Sequence, residues 1–530
     1  MRRRTDRAVN LAHLLTQTAR RLPESTALVS GEARWTWREL DRAASGLARE
    51  LRERGVGHGD RVLLHSPNHV EFVQSMFAVW RLGAVLAPTN ARLTPSEVAT
   101  IAGVCRPKAA LCHRGLAEHA QAVADAHGLP AGTLLIGAEA GDGDAVASVA
   151  ASDLADASVG VDDPCWYFFT SGTSGTPKAA VLTHDQMGFV ITNHLADLMP
   201  ATTHEDVSLV VAPLSHGSGI HLLPQVARGA ASVLTSSARF DAEEVWRLVE
   251  RERVSNVFTV PTILKRIVEH PAVGRHDHSS LRYVVYAGAP MYDADQERAR
   301  DVLGEVLVQY YGLGEVTGNI TVLTPGEHGR PRPQGVGIGT CGRPRTGIQI
   351  SVQDGDGREL SAGEQGEICV AGPAVFSGYL DNETANAAGF RDGWFRTGDL
   401  GLLDEEGYLY VTGRASDMYI SGGSNIHPRD IEEKLLLHPG VAEAAVLGMP
   451  DPDWGEVGVA VCVPKPGAAP SPDELREWLD GRLARYKLPR HFLLWSDLPK
   501  SGYGKVVKRT IRGLLEDAGW DPQARVSAHT

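Results

Sequence analysis

The sequence predicts an α/β fold: a large N-terminal domain of parallel α/β subdomains with a small β-barrel-like unit, then a small C-terminal α+β domain. Three observations carry this. The first half of the 530 residues alternates short apolar runs with stretches of helical period. After about residue 350 the texture changes to short strands split by Gly and Asp turns. Past Arg414 comes a compact segment with helices and strands of its own. A chain this long exceeds what one hydrophobic core serves, so two or more domains are expected.

Thr36-Trp37-Arg38-Glu39 is a capping box. It opens a helix with Leu40, Ala43, Ala44, Leu47 and Leu51 on one face and Gly55 as its stop. "RVLLH" (Arg61–His65) reads as a buried strand, "EFVQSMFAVWRLG" as a helix, and "AVLAP" (Ala84–Pro88) as the next strand. Residues 131–160, rich in Ala, Gly and Asp, are expected to form a surface excursion, and residues 326–347 a long Gly/Pro/Arg-rich connection. "IQISVQD", "GEICVAG" and "GYLYVTG" are the strands of the β-rich unit. "HPRDIEEKLLLHPG" reads as a helix with its stop glycine, and "VAEAAVLGMP" and "VGVAVCVPKP" as strands. Ser471-Pro472-Asp473-Glu474 starts a further helix with an N-cap, Pro at the first position and an acid at the third. The boundary falls near Arg414–Ser416, dividing 1–413 from 414–530.

Composition excludes several classes. With 43% apolar and 22% charged residues, the chain is an ordinary globular one. A formal charge of −13 argues against nucleic-acid binding, which wants a basic face. No apolar run approaches ~18 residues, so no membrane span is expected. The basic start "MRRRTDRAVN" has no apolar stretch behind it, which argues against a secretory signal. The six cysteines form no CxxC pair and sit mostly in apolar segments, so buried free thiols and a cytoplasmic location are expected.

The chemistry concentrates at "CWYFFTSGTSGTPKAAVLTH" (Cys165–His184). Thr170, Ser171, Thr173, Ser174 and Thr176 offer hydroxyls, Gly172 and Gly175 backbone freedom, and Lys178 a positive charge. Hydroxyls, free N–H groups and a lysine suit a polyphosphate. The spacing is not that of a P-loop, because Pro177 rather than Gly precedes Lys178 and Ala179 follows it. The proline keeps the loop from running straight into a helix, so an anion here would not rest on a helix N-terminus. A hydroxyl-rich turn by itself is as often a plain surface turn.

Its companions decide the reading. "TSGTSGTPKAA" resembles the phosphate-loop signature of the adenylate-forming superfamily: acyl- and aryl-CoA synthetases, peptide-synthetase adenylation domains and luciferases. The family's other signatures follow in order. "APLSHGSG" (Ala212–Gly219), "YAGAP" (Tyr286–Pro290), "YYGLGE" (Tyr310–Glu315) and "WFRTGDLG" (Trp394–Gly401) resemble elements of the large domain. "GRASDMYISGGSNIHPRDIE" (Gly413–Glu432) resembles the hinge, and "LPKSGYGKVVKR" (Leu498–Arg509) the C-terminal lysine element.

The resemblance, closest to acyl- or aryl-CoA synthetases, implies two half-reactions. A carboxylate attacks the α-phosphorus of Mg-ATP, releasing pyrophosphate. Coenzyme A, or the pantetheine of a carrier protein, then takes the acyl group and releases AMP. Residues 170–178 would cradle the phosphates, with Gly288, Ala289, Pro290, Tyr310, Tyr311 and Gly312 also at the nucleotide. Tyr311 matches the aromatic that stacks on adenine. Asp399 matches the acid that accepts the ribose hydroxyls, and Arg414 the hinge arginine. Glu315, with Thr170, would hold Mg²⁺, a hard cation wanting carboxylate and phosphate oxygens. Lys505 matches the catalytic lysine that meets the α-phosphate and acyl oxygen, where a compact ammonium suits the developing charge. His216 matches a gate beside the carboxylate, although a histidine ending an apolar run also fits a core position. The acyl pocket would be lined by His216, Tyr286, Gly288, Gly312, Leu313 and Gly314. Gly422 and Gly423 would shape the thiol tunnel after a rotation of the small, mobile domain about Ser416.

The sequence departs from the pattern at several positions. Gly314 stands where Thr is usual, Ala179 where Gly is, and Ser416 at a pivot that is usually Asp or Lys. Tyr286 and Ala287 precede Gly288 where smaller residues are common. Gly312 replaces the bulky Trp that closes the pocket of acetate-specific relatives, so an acid larger than acetate, fatty or aryl, is expected. No Asp stands near Pro213–Gly219 to anchor an α-amino group. Three rivals stay open: an enzyme loading a carrier protein, an enzyme activating nitrite to diazotise an aryl amine, and a nucleotide sensor on a decayed scaffold. The oligomeric state is open as well, a homodimer being one of the states allowed.

Overall fold

A computed structural model describes residues 6–137, 154–170, 177–235, 240–414, 416–421, 424–500 and 505–520. Two largely parallel sheets carry the N-terminal part. The first has six strands in the order Lys178–Thr183, Pro164–Thr170, Val85–Thr89, Arg61–His65, Ala109–His113, Thr133–Ile136. All neighbours are parallel except the hairpin of the first two. The second has seven, in the order Leu307–Gln309, Tyr283–Tyr286, Asn256–Thr259, Val207–Val210, Ala231–Leu234, Thr26–Ser30, Ala33–Thr36, antiparallel only at the last pair.

The expected helices form for the expected reasons. Thr36 accepts from the Glu39 N–H while the Glu39 carboxylate accepts from the Thr36 N–H, and the helix Trp37–Glu53 follows. Gly55, at φ +87°, takes the chain out of it. The helix Val70–Arg81 is buried along its whole length because it packs between other elements rather than against solvent. Residues 131–160 differ from expectation. Thr133–Ile136 adds an edge strand beside Ala109–His113, supplied by the apolar "TLLI". Residues 138–153 lie outside the described residues.

The β-rich unit is a five-stranded antiparallel sheet built from Gln349–Gln353, Gly366–Ala371, Trp394–Leu403, Phe390–Arg391 and Leu409–Arg414. Between Arg414 and Tyr419 the chain leaves this sheet for another five-stranded one: Ser424–Ile426, Tyr419–Ser421, Gly455–Pro464, Val441–Asp451 and His491–Leu494. Helices Pro428–Leu436 and Pro472–Leu479 pack on one face through Ile431, Leu435, Leu475 and Leu479. Helix Lys508–Asp517 packs on the other through Ile511 and Leu515. The Arg429 guanidinium donates to the Val411 carbonyl (2.6 Å), and Gln365 lies 2.8 Å from His427, tying this segment to the preceding sheet.

Candidate active site

The strand Pro164–Thr170 is the spine of the site. Its side chains alternate between two buried faces: Trp166 and Phe168 enter the main core, Tyr167 and Phe169 a second one. Thr170 and Lys178 stand opposite each other in register on two antiparallel strands, at either end of the hydroxyl-rich segment. Its residues Ser171, Gly172, Thr173, Ser174, Gly175 and Thr176 lie outside the described residues. Pro177 leads into a strand rather than a helix. Ala179, the departure after Lys178, packs its methyl in the cluster of Phe169, Leu63 and Val85, where a glycine would leave a void.

Glu315 is buried on a single turn that starts at Gly314. Its Oε1 accepts from the Thr170 hydroxyl (3.2 Å) and from the Tyr379 hydroxyl (2.9 Å). The Lys178 ammonium lies 5.0 Å over the Tyr379 ring. Among the described residues no three His, Cys, Asp or Glu side chains gather to hold a metal. A single carboxylate flanked by hydroxyls and a lysine fits Mg²⁺ arriving on phosphates, since that ion keeps few protein ligands.

Asp399 and Arg414 face each other across two antiparallel strands, with Arg414 Nε 3.2 Å from Asp399 Oδ1. Asp399 Oδ2 accepts from the Tyr311 hydroxyl at 2.6 Å. Burial pushes the Asp399 carboxyl above its usual range, against the opposing pull of Arg414 and Tyr311. The site therefore holds a desolvated acceptor beside an aromatic ring.

Lys505 reaches this cleft from the C-terminal segment. Removal from water lowers its pKa, the charge of Arg414 adds to that, and Asp399 and Glu315 pull the other way. Lys505 keeps solvent-accessible surface. Burial takes the His216 imidazole down to about 3, so it is neutral, and Lys505 contributes in the same direction. His216 Nδ1 lies 2.8 Å from the Ser215 carbonyl, which places the proton on that nitrogen. The His216 ring packs 4.7 Å from Phe168.

The residues expected to line the acyl pocket are placed unevenly. Tyr286 is a core residue: it is 0% exposed, and its hydroxyl bonds to Gln309 (3.0 Å), Gln296 (2.8 Å) and His328 (3.1 Å). Three polar partners hold it away from any pocket. Gly312 is not an open floor, because a Cβ there would lie 2.5 Å from the Gly318 backbone. The glycine serves a close approach of two chain segments. Tyr310 sends its ring away from Asp399, stacking on Phe258 at 5.9 Å and facing His194 at 6.1 Å, unlike its neighbour Tyr311. Gly288, at φ +88°, makes the exposed turn after Tyr283–Tyr286 with Ala289 and Pro290. Leu313 packs against the main core, and Ser416 precedes the strand Tyr419–Ser421. Gly422 and Gly423 lie outside the described residues.

Gly314 has a packing reason: a Cβ there would lie 2.5 Å from the Phe168 ring and 3.1 Å from Thr170 Cγ2. Gly314→Thr is expected to destabilise the protein by about 1–3 kcal/mol in urea unfolding, as overpacking does. Phe168→Leu in the same chain should restore most of that, and additive losses would show that Phe168 is not the obstacle.

Tyr379 escapes sequence reading. It reaches Glu315 because Leu380 N–H donates to Ala179 and Val181 N–H to Gly378, laying the segment beside the hairpin. No local spacing signals that pairing. Phe168 escapes too, since its role is to occupy the space of an absent side chain.

A lysine within electrostatic reach of two carboxylates, each held by a tyrosine hydroxyl, suits an enzyme that works on a nucleoside phosphate. A family model for "AMP-binding enzyme" matches residues 15–380, and one for "AMP-binding enzyme C-terminal domain" matches residues 430–505. A feruloyl-CoA synthase from Amycolatopsis sp is 39% identical over 502 residues, covering 93% of this chain and 96% of the relative. An indoleacetate–CoA ligase from Aromatoleum aromaticum is 33% identical, covering 93% and 96%. The crystal structure of ATP-bound MatB from Rhodopseudomonas palustris superposes with a TM-score of 0.86 at 29% identity, covering 96% of this chain and 99% of that one. The chain belongs to the AMP-binding, adenylate-forming enzyme family. It is an AMP-forming acid–CoA ligase, using ATP, Mg²⁺ and coenzyme A. No helix among the described residues is long and apolar enough to cross a membrane.

Proposed function

We propose that the enzyme activates an aryl or fatty carboxylic acid larger than acetate, passes it to free coenzyme A, and works in the cytoplasm. The convergence of Lys505 on the cleft of Asp399, Glu315 and His216 carries the reading of the site. Names of relatives such as feruloyl-CoA synthase and indoleacetate–CoA ligase support an aryl acid. The six cysteines are all buried free thiols, which suits a reducing cytoplasm.

In this reading the segment 170–178 holds the phosphates, Tyr311 the adenine and Asp399 with Arg414 the ribose. Glu315 would hold Mg²⁺, which neutralises charge on the phosphates. Lys505 sits against the α-phosphate and the entering carboxylate oxygen. That oxygen bonds to the α-phosphorus as the bond to the β-phosphate breaks and pyrophosphate leaves. In-line displacement of this type needs positioning and charge neutralisation rather than covalent help. Neutral His216 adds no second positive charge beside Lys505. For thioester formation the segment 414–530 would turn about Ser416, withdrawing Lys505 and presenting Gly422 and Gly423. The thiol then loses its proton, sulfur bonds to the acyl carbon, and AMP leaves.

The test is pyrophosphate release across fatty acids, aryl acids, acetate and nitrite plus an aryl amine, with and without coenzyme A. Release with an aryl or fatty acid, and thioester only with coenzyme A, is expected. A carrier protein outperforming coenzyme A, or nitrite outperforming every acid, would overturn the reading.

A further inference from the structure

Behind Tyr310 lies a buried polar cluster. Arg345 is its centre, with a side chain of 0% exposure. Its guanidinium Nε and Nη1 have no hydrogen-bond partner. Asp197 is 3.8 Å from Nε, too far for a hydrogen bond, and already accepts from the Thr346 N–H (2.8 Å), the Thr346 hydroxyl (2.9 Å) and Asn193 (3.0 Å). Nη2 lies 3.2 Å from His194 Nδ1, but that nitrogen is also 3.0 Å from the Val190 carbonyl. Burial keeps His194 neutral, so a single Nδ1 cannot both donate to Val190 and accept from Arg345. Desolvation lowers the Arg345 pKa to about 9, against the opposing pull of Asp197 and Tyr310. A buried cation with idle donors is among the costliest groups a fold can keep.

Two further observations fall at the same place. His194–Leu198 is a π-helical turn, a form found often at functional sites. Asn319, 0% exposed, bonds through neither amide atom. It lies between Gly318, where a Cβ would sit 2.4 Å from the Tyr310 ring, and Ile320, whose carbonyl accepts from the Arg345 N–H. The cluster connects to the reacting centre. A Cβ on Gly217, next to His216, would lie 3.6 Å from the Tyr310 hydroxyl, and the Tyr310 ring faces His194.

We propose that this cluster is the far end of the acyl pocket and that Arg345 recognises an oxygen acceptor, a carboxylate or hydroxyl, at the distal end of the acid. The enzyme thereby selects oxygen-tipped acids over apolar ones of equal length. This rests on the acid–CoA ligase reading of the site.

The experiment measures kcat/KM for pyrophosphate release with arylpropenoic acids carrying para-methyl, para-hydroxyl or para-carboxylate groups. At least one oxygen-bearing acid should exceed the methyl acid by about tenfold or more, as a hydrogen bond to a charged group implies. The arm that wins identifies the acceptor. In Arg345→Met that ratio should fall towards one. If the methionine variant does not fold, Arg345→Lys gives the same comparison, with the ratio reduced rather than lost. Equal values across the three acids in the wild type overturn the inference, and so does an unchanged ratio in a folded Arg345 variant. No pyrophosphate release with any acid would sink the ligase reading and this one with it, whereas equal rates sink this one alone.

Discussion

Lys505→Ala lowers acid- and ATP-dependent pyrophosphate release by about 10²–10³-fold, the range seen when one preorganised charge-stabilising group is removed from a transition state. The motivating observation is the position of Lys505, close enough to Asp399, Glu315, Arg414 and His216 for their charges to bear on one another. Thioester formation from pre-made acyl-adenylate and coenzyme A should keep most of its rate if, as proposed, Lys505 serves the first half-reaction alone. The alanine should leave the fold intact, since Lys505 lies in no apolar cluster. A variant with wild-type pyrophosphate release would remove Lys505 from the mechanism. The pH dependence has a definite sign. The ammonium must be protonated to act, and its pKa is lowered by desolvation and by Arg414. Activity is therefore lost as pH rises through a value below the ordinary lysine range, near 10.4. An acid limb belonging to His216 is not expected near neutrality, because its pKa lies about 3.

Asp399→Asn raises the KM for ATP by about 10–100-fold, the loss expected when ribose hydroxyls exchange a charged acceptor for a neutral one. The carboxylate is held in place by Arg414 on one oxygen and the Tyr311 hydroxyl on the other. Its effect on stability runs the opposite way. Burial raises the Asp399 pKa, so keeping it ionised at neutral pH costs stability, a cost that fades as pH falls through the raised pKa. The amide removes that cost, and the melting midpoint at neutral pH should be equal or higher. A drop in melting midpoint with unchanged KM would assign Asp399 to structure alone. Steady-state kinetics and thermal unfolding of one preparation decide between the two.

Much of the architecture was legible in local sequence. Capping boxes at Thr36 and Ser471 set two helix starts, because the hydrogen bonds that make them span three residues. The sheet assignments followed from apolar period, which needs only neighbours. Thr133–Ile136 was missed because an edge strand surrounded by Gly and Ala carries a weak period. Glu315, Asp399, Arg414 and Lys505 could be singled out because each lies inside a short motif, and the structure brings them within reach of one another. What Tyr286, Tyr310 and Gly312 pack against was not readable. The direction of a side chain leaving a loop depends on what packs against it, here Gln309, Phe258 and the Gly318 backbone.

By itself, the sequence determined the class of chemistry, an AMP-forming acid–CoA ligase, and singled out a hydroxyl-rich segment, Glu315, Asp399 and Lys505 as candidate residues for it. Those assignments need only residue type and short spacing. The tertiary structure alone decided which groups meet. Tyr379 comes to Glu315, Phe168 fills the space beside Gly314, and Arg345 is buried with idle donors behind Tyr310. Tyr379 and Glu315 lie 64 positions apart, and Arg345 and its neighbour His194 lie 151 apart, so no local pattern encodes these contacts. They arise because folding buries apolar faces first and leaves the polar groups between them to find partners, or to await one.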